Sequence, residues 1–516
     1  MTTAETARTF RPLAHAWVAL PVLISAGLLY VAVALYVSGS PVLALAVVAV
    51  AASLPAVYLL RGAYVWRYLY PGLLAFAIFV LTPLIYTVYI SFTNYSGANL
   101  LTIERVRSYL EQDVYAASDR FVEYRLHRID GGFALSTVEH TGTGQVIRSS
   151  GVIDPQSPPE TPIRLTDAPV AGEALPLRDV IAQRPWLRKL QLQLPEGIVL
   201  RYDGLRRFAH IAPRYEPAGD GYRDRATGGT VRPDGARGIF VDDAGQQVGP
   251  GFRTWVGLKN YSQLFTTPSL REPLLRIFAW TVSFATLSVL FSGSVGVTLG
   301  CVLNWELLRG RAVYRTLLIL PYAVPAFISI LIFRDLFNPN FGGINELLSY
   351  LTGRPVNDMP QWTSNPWFAR VMVMIVNTWL GYPYMMIVAT GMLQTVSSSM
   401  YEAADIDGAG VMGKFRHITL PSILPPMLPL LVGSFAFNFN NFLLIYLLTA
   451  GGPSMPGVET IAGETDLLVT YTFRIAFRDA AANFGYASAI AAVIFVVVGS
   501  LAYLNLRLSQ RTARVR

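Results

Sequence analysis

Asn377, Gly381 and Tyr384 recur at a spacing that lines them along one face of a helix. Ser434, Phe437, Asn438 and Asn441 share a second stripe, with Asn440 off it. Amides supply paired donors and acceptors and rings supply flat apolar surface, so the stripes suit a neutral, hydroxylated ligand such as a sugar. Gly381 would leave room for it. The same asparagines also suit hydrogen bonds between helices, worth about 0.6 to 2 kcal/mol each in a membrane. Taken alone, the stripes favour that second use. Away from their ends the surrounding apolar runs hold no Asp, Glu, Lys, Arg or His, the groups an ion-coupled carrier needs near the midplane. No ion-coupling site is expected.

A second constellation is charged. Residues 401–421 read YEAADIDGAGVMGKFRHITLP, a polar island between long apolar runs. Ser399 and Glu402 have capping-box spacing, so a helix of about two turns is expected there, stopped by Gly408. Met400, Ala403 and Ala404 fall on one side of it. Met412, Phe415 and Ile418 recur in a second short piece after Gly410, giving each piece an apolar strip that could dock into a partner's groove. Gly408, Gly413 and Lys414 mimic the spacing of a phosphate-binding loop, but Phe415 stands where a hydroxyl must hold magnesium, and no apolar strand leads in. No ATP site is expected in this chain.

These residues belong to a chain of 516 residues, 53% apolar and only 14% charged, with a mean hydropathy of +0.41. That is far greasier than a soluble globular protein. The net charge of +8 would fit a nucleic-acid partner, yet no Lys/Arg run forms a basic helix face. The single cysteine, Cys301, lies in an apolar run and excludes an intramolecular disulfide and a cysteine metal cluster.

Apolar runs of about 20 residues, long enough to cross the hydrocarbon, occur at 17–37, 41–60 and 72–92, then at 277–304, 314–333, 368–393, 423–449 and 486–506. The first two read as an uncleaved hairpin rather than a signal peptide. Pro321 and Pro325 kink the 314–333 span, which fits either an outer gate or a packing bend. Gly296 and Gly300 are spaced for close helix packing. Between 93 and 276 the composition changes: alternating runs at 121–126 and 197–202 read as strands, and Gly219-Asp220-Gly221 and Pro233-Asp234-Gly235 as turns.

The chain therefore divides into 1–92, a short head (Arg8, Arg11) with three helices; 93–276, a β-rich domain outside the membrane; and 277–516, five helices interrupted by the charged stretch at 395–421. With the amino end inside, the short inner loops hold Arg61 and Arg67; Arg309, Arg311 and Arg315; Lys414 and Arg416; and Arg507, Arg511, Arg514 and Arg516. Every one is basic, which places both ends in the cytoplasm. Asp203, Asp220, Asp242, Asp243, His127, His140 and His210 of the β-rich domain fall into no metal or nucleophile–base spacing, which leaves a glycosyltransferase-type enzyme a distant alternative.

Glu402-Ala403-Ala404, Gly408, Ile418, Leu420 and Pro421 reproduce the Glu-Ala-Ala, Gly, Ile-x-Leu-Pro loop of binding-protein-dependent ABC import permeases. Residues 377–386 (NTWLGYPYMM), 434–442 (SFAFNFNNF) and 313–333 narrow the resemblance to the larger, MalF-type subunit of maltose/maltodextrin permeases. It runs over about 255–508 and is looser in the first seventy or so residues and in the insert. The resemblance implies an all-α polytopic membrane protein of about eight transmembrane helices, the ABC importer type I permease fold, with an inserted β-rich periplasmic domain that contacts the sugar-loaded binding protein. It implies that Glu402, Ala403, Ala404, Gly408, Ile418, Leu420 and Pro421 belong to a coupling loop gripped by a cytoplasmic ATPase. It also implies that Asn377, Gly381, Tyr384, Ser434, Phe437, Asn438 and Asn441 line the maltose site, which turns the reading of the stripes toward sugar. The chain would have no catalytic residue, metal or cofactor of its own, ATP and magnesium lying on a dimeric MalK-like ATPase. Its other partners would be a second, MalG-like permease subunit and a periplasmic maltose-binding protein in the inner-membrane assembly. The alternative cargo is another oligosaccharide or disaccharide, such as trehalose or a galactoside.

Overall fold

The computed structural model describes residues 11–141, 144–154, 161–170, 172–305, 307–458 and 461–514. Arg8 and Arg516 lie outside these residues, as do the side chains of Arg11, Arg61, His140, Arg511 and Arg514. The chain divides into two units, Met1–Tyr89 and Ile90–Arg516.

In the first unit α1 (Arg11–Val37) and α2 (Pro41–Leu59) form the expected hairpin. Gly39 turns the chain at φ +83°, which glycine adopts without steric cost, and Pro41 opens α2 where no N–H is missed. The two helices meet on small residues. Ala32, Ala44 and Ala51 are buried, and the Ser25 hydroxyl donates to the Ala51 carbonyl at 2.7 Å, the close approach that packing in lipid favours. α3 (Tyr64–Ser91) is a single apolar helix that starts before the expected position 72, because Tyr64, Trp66, Tyr68 and Tyr70 extend the apolar run around Arg67. It widens into a π turn at Ala77–Leu81, where Thr82, the residue before Pro83, donates its N–H to Ala77.

The second unit begins with the β-rich insert. After α4 (Ile103–Glu111) come β1 (Val114–Ile129), β2 (Gly132–Thr141), β3 (Gly144–Ser149), β4 (Ile163–Arg164), β5 (Gln191–Gln193), β6 (Val199–Tyr202) and β7 (Arg207–Pro213), paired in the order β3-β2-β1-β7-β6-β5-β4. Val122, Tyr124 and Leu126 of β1 point into the core with Leu135, Leu192 and Phe208, and the residues between them point out, the period-2 burial of a one-faced sheet. A smaller sheet of β8 (Tyr215–Ala218), β9 (Gly221–Asp224), β10 (Thr230–Asp234), β11 (Ile239–Val241) and β12 (Gln247–Val248) closes over Val106 and Leu110 of α4. The predicted strands fall in β1 and β6 and Gly219 turns at φ +63° between β8 and β9, whereas Pro233 and Asp234 belong to β10 and the second predicted turn begins only at Gly235. Entry and exit of the insert run side by side. Phe92 stacks on Trp255 with centroids 5.1 Å apart, and Asn260 Nδ2 donates to the carbonyls of Ser91 and Thr93, each at 2.8 Å.

The helical half that follows the insert contains α5 (Pro268–Asn304), α6 (Arg311–Ala323), α7 (Ala326–Leu336), α8 (Pro366–Leu393), α9 (Ser398–Ile406), α10 (Val411–Phe439), α11 (Phe442–Leu448), α12 (Leu468–Phe477) and α13 (Phe484–Arg514). Three expectations are corrected. α5 starts at Pro268, inside the range given to the insert: Thr267 is its N-cap and Pro268 opens it where no N–H is missed, and Glu272 and Arg276 pair across the next helical turn at 2.7 Å. The 314–333 span is not a kinked helix: α6 and α7 meet at 90°, with Pro325 capping α7 and Val324 extended before it, as the residue ahead of a proline prefers. The 423–449 span is broken at Asn440 and Asn441 between α10 and α11. Among the described residues seven helices are long and apolar enough to cross a membrane, or eight if α6 and α7 count as one.

α5 and α8 are the most closely packed of these helices. A Cβ on Gly296 would stand 2.5 Å from Met385 Cβ and 2.7 Å from the Met386 nitrogen, and one on Gly300 3.2 Å from Ala389 Cβ, so the small-residue pair does bring two backbones together.

Candidate functional site

Three asparagines meet where α8 faces the break between α10 and α11. Asn377 Nδ2 donates to Asn438 Oδ1 at 2.8 Å, Asn441 Nδ2 donates to Asn377 Oδ1 at 3.2 Å, and Asn438 Nδ2 donates to the Ser434 carbonyl at 2.8 Å. Local sequence sets each position. Asn365 Oδ1 caps α8 by accepting from the N–H groups of Trp367 and Phe368, which fixes the helix carrying Asn377. Asn441 Oδ1 accepts from Leu444 N–H at 3.3 Å and so starts α11. Asn377 and Asn438 are 6% and 8% exposed. An amide carries two donors, and each of the three has used one on the protein, so each keeps one N–H for another acceptor.

The other predicted positions separate. Gly381 turns its bare face to α5, where a Cβ would stand 3.2 Å from Ser292 Cβ; its missing side chain is spent on helix packing, not on open space. Phe437 is 71% exposed although the adjacent Asn438 is buried, while Tyr384 and Ser434 are half-buried. The structure thus joins Asn377, Asn438, Asn441 and the Ser434 backbone, and leaves Gly381 and Phe437 out of that cluster.

The charged stretch folds on itself. α9 starts behind Ser397, whose hydroxyl makes no cap bond and lies 2.7 Å from Ser399 Oγ. Ser399 is inside the helix, so the expected capping box does not form. Gly408, at φ +74°, stops α9 as expected; Ala409 N–H donates to the Ala404 carbonyl at 2.8 Å and Gly408 N–H to that of Asp405 at 3.1 Å, satisfying the last turn. The piece after Gly410 is not a separate short helix. It runs through a π turn at Phe415–Thr419 into the rest of α10, Leu420 N–H reaching back to Phe415 just before Pro421, as Thr82 does before Pro83. A proline lacks the N–H that would hold the regular ladder.

Two side-chain bonds tie the arms together. Lys414 Nζ donates to Asp405 Oδ1 across the turn, and the Tyr401 and Thr419 hydroxyls lie 2.9 Å apart. Glu402, Ala403 and Pro421 are exposed, and Ala404, Ile418 and Leu420 half-buried. Ile406 (88% exposed), Val411 (83%) and Met412 (73%) stand out from the surface, an apolar patch on a polar stretch of the kind that marks a docking face. Sequence reasoning missed Ile406 and Val411. Their signal was an isolated apolar residue on each side of the Asp407–Gly410 turn.

It also missed a polar clip before α12. Asp466, fully buried, accepts from Gly463 N–H at 2.8 Å, the Thr470 hydroxyl at 3.0 Å and Arg474 Nη1 at 2.6 Å. Burial pushes its carboxyl up to about 6, against the pull of Arg474. Beside it Arg370 Nη2 donates to Glu464 Oε2 at 2.7 Å and the guanidinium carbon lies 4.9 Å over the Trp280 ring centroid, which ties α8 to the loop. The run Gly463-Glu464-Thr465-Asp466 in an apolar region was the available signal.

In the insert, Asp220 pairs with Arg107 and Asp203 with Arg207. Asp243 holds Thr230, Asp242 caps a turn, His127 bonds Gly172 and Ser136, and His210 bonds Ser118. No group of three metal-ligating side chains occurs among the described residues.

Two family models match the chain: the maltose transport system permease protein MalF P2 domain over residues 101–257 and the binding-protein-dependent transport system inner membrane component over 295–514. The maltose/maltodextrin transport system permease protein MalF of Vibrio parahaemolyticus is 43% identical over 494 residues, 93% of this chain and 92% of that protein. Its counterpart from Salmonella typhi is 42% identical over 490 residues, 93% of each. A crystal structure of a bacterial ABC transporter involved in the import of the acidic polysaccharide alginate covers 50% of this chain and 84% of its own at 24% identity, with a TM-score of 0.42. The similarity to the curated relatives extends through the insert and into the N-terminal helices, wider than the 255–508 that the motifs alone mark.

Proposed function

Since the chain belongs to the MalF family of binding-protein-dependent inner-membrane transport components, we propose that it carries maltose and maltodextrins inward as one of two permease subunits. It is a transport subunit of an ATP-driven importer and not an enzyme. The cargo reading rests on the asparagine relay. Three amides hold one another in place and keep one N–H each, in a membrane region without charged side chains, which suits the hydroxyls of an uncharged sugar.

In this reading both ends and the 401–421 stretch lie in the cytoplasm and the β-rich insert in the periplasm, in keeping with the basic inner loops. Ile406, Val411 and Met412 enter a groove on a dimeric ATPase, which holds the ATP and magnesium. Gly408 sets the angle between α9 and α10, and the Asp405–Lys414 and Tyr401–Thr419 contacts make the two arms move together. α10 is continuous from that loop to Asn438, so displacement at the ATPase reaches the relay along one helix. Phe437, exposed on α10, faces the second permease subunit across the sugar path, and the insert meets a periplasmic maltose-binding protein.

The test is to express the chain with the neighbouring genes' products, purify the complex and measure ATP hydrolysis in lipid with the binding protein and one sugar at a time. Stimulation by maltose and maltotriose supports the reading. Stimulation by trehalose or a galactoside alone would reassign the cargo, and no stimulation by any sugar would remove it.

A further inference from the structure

Where α5 ends and α6 begins, a cleft of about 230 Å³ opens, lined by Leu299, Val302, Leu303, Leu308, Tyr314 and Leu318. Its walls are hydrocarbon and one phenol ring. Arg309 and Arg315 directly follow the lining residues Leu308 and Tyr314, and Arg311 stands one helical turn before Arg315. All three arginines are exposed, and among the described residues no ion pair or side-chain hydrogen bond engages them. Glu306 is the one acid in this connection. Trp305 and Leu307 are exposed on the same segment, as residues anchored at a membrane–water boundary are.

We propose that this cleft holds an anionic glycerophospholipid, with an acyl chain against Leu299, Val302, Leu303 and Leu318 and the headgroup phosphate on Arg309, Arg311 and Arg315. Hydrocarbon and cationic groups sit next to each other at the end of a membrane-crossing helix, and an anionic lipid matches both. Free phosphate would leave the apolar cleft unfilled. A packed protein helix would fill it without using three guanidinium groups. The site bears on transport through α8: Tyr382 Oη donates to the Leu318 carbonyl at 3.1 Å, so the helix lining the cleft is tied to the one carrying Asn377. The proposal depends on membrane embedding alone and stands whatever the sugar.

The experiment is native mass spectrometry of the purified complex, loaded with equal amounts of phosphatidylglycerol and phosphatidylcholine of the same acyl chains. The wild-type complex is expected to retain phosphatidylglycerol preferentially. Each arginine changed to glutamine lowers that retention about five-fold, and Leu308→Trp, which fills the cleft and leaves every charge in place, abolishes it. Equal retention of the two lipids by the wild type would overturn the proposal. So would undiminished phosphatidylglycerol in Leu308→Trp, which would reduce the arginines to a diffuse surface charge. Should the arginine variants fail to assemble, Leu308→Trp decides alone.

Discussion

Replacing Asn377 by alanine removes the middle of the relay and separates its two possible duties. Two bonds go, one to Asn438 at 2.8 Å and one from Asn441 at 3.2 Å. At about 0.6 to 1.7 kcal/mol for an interhelical bond in lipid, the loss is about 1 to 3 kcal/mol. Asn438→Ala removes the first of these bonds and its own bond to the Ser434 carbonyl, and is expected to cost a similar amount. The double variant should cost less than the sum by about 0.6 to 1.7 kcal/mol, because the two singles share one bond. The thermal melt of the purified complex reads this term. Half-saturating maltose for stimulated ATP hydrolysis reads the other: a lost hydrogen bond to a sugar hydroxyl, worth about 0.5 to 1.5 kcal/mol, raises it about two- to ten-fold. Strictly additive melts would refute the relay. Lowered melts with an unchanged sugar dependence would leave the asparagines as helix glue and refute the site.

Three further outcomes are expected. Gly408→Pro demands φ near −65° where the chain holds +74° and deletes the Gly408 N–H bond to Asp405; membrane insertion should persist while maltose uptake into proteoliposomes is lost, and wild-type uptake would count against the coupling role. Gly296→Leu drives a side chain into Met385 and the Met386 backbone, so about 1 to 3 kcal/mol of stability should disappear by the overpacking rule, seen as a lower melting temperature of the complex. In the smaller insert sheet, Arg225 beside Glu216 and the Thr230 hydroxyl on Asp243 hold those carboxyls below their ordinary values. The stability they confer is whole above about pH 5 and is lost as pH falls through their lower folded values, so amide protection at residues 215–248, taken relative to the intrinsic exchange rate at each pH, should fall on acidification.

The parts of the molecule legible in the sequence are those set by local patterns. Apolar runs gave the membrane helices, alternation gave β1 and β6, and Gly408 gave the stop after α9. The misplacements arise where distant contacts or proline decide. The start of α5 was written in Thr267 at the N-cap and Pro268 at the first helical position, but the polar first turns around Glu272 and Arg276 hide it from a reading by apolar runs. Pro325 marks a bend, but the 90° angle goes with separate neighbours, α6 lying on α8 and α7 on α11. The two asparagine stripes were visible, while their mutual bonding, and the turning of Gly381 toward Ser292, depend on where α5 and α10 lie around α8. Asp466 and Arg474 stand eight positions apart in the chain, and only the fold brings the helix that carries Arg474 back over the buried carboxylate.

The measurement that bears most directly on the account is thiol labelling of Met412→Cys in a Cys301→Ser background, with a membrane-impermeant reagent applied to sealed right-side-out and inside-out vesicles. Met412 is exposed on the stretch proposed to dock on the ATPase. Labelling from the inner face only, and blocked when the ATPase subunits are bound, is the predicted result. Labelling from the outer face, or equal labelling with and without the ATPase, would contradict the claim that this loop transmits ATP hydrolysis to the helices around the sugar.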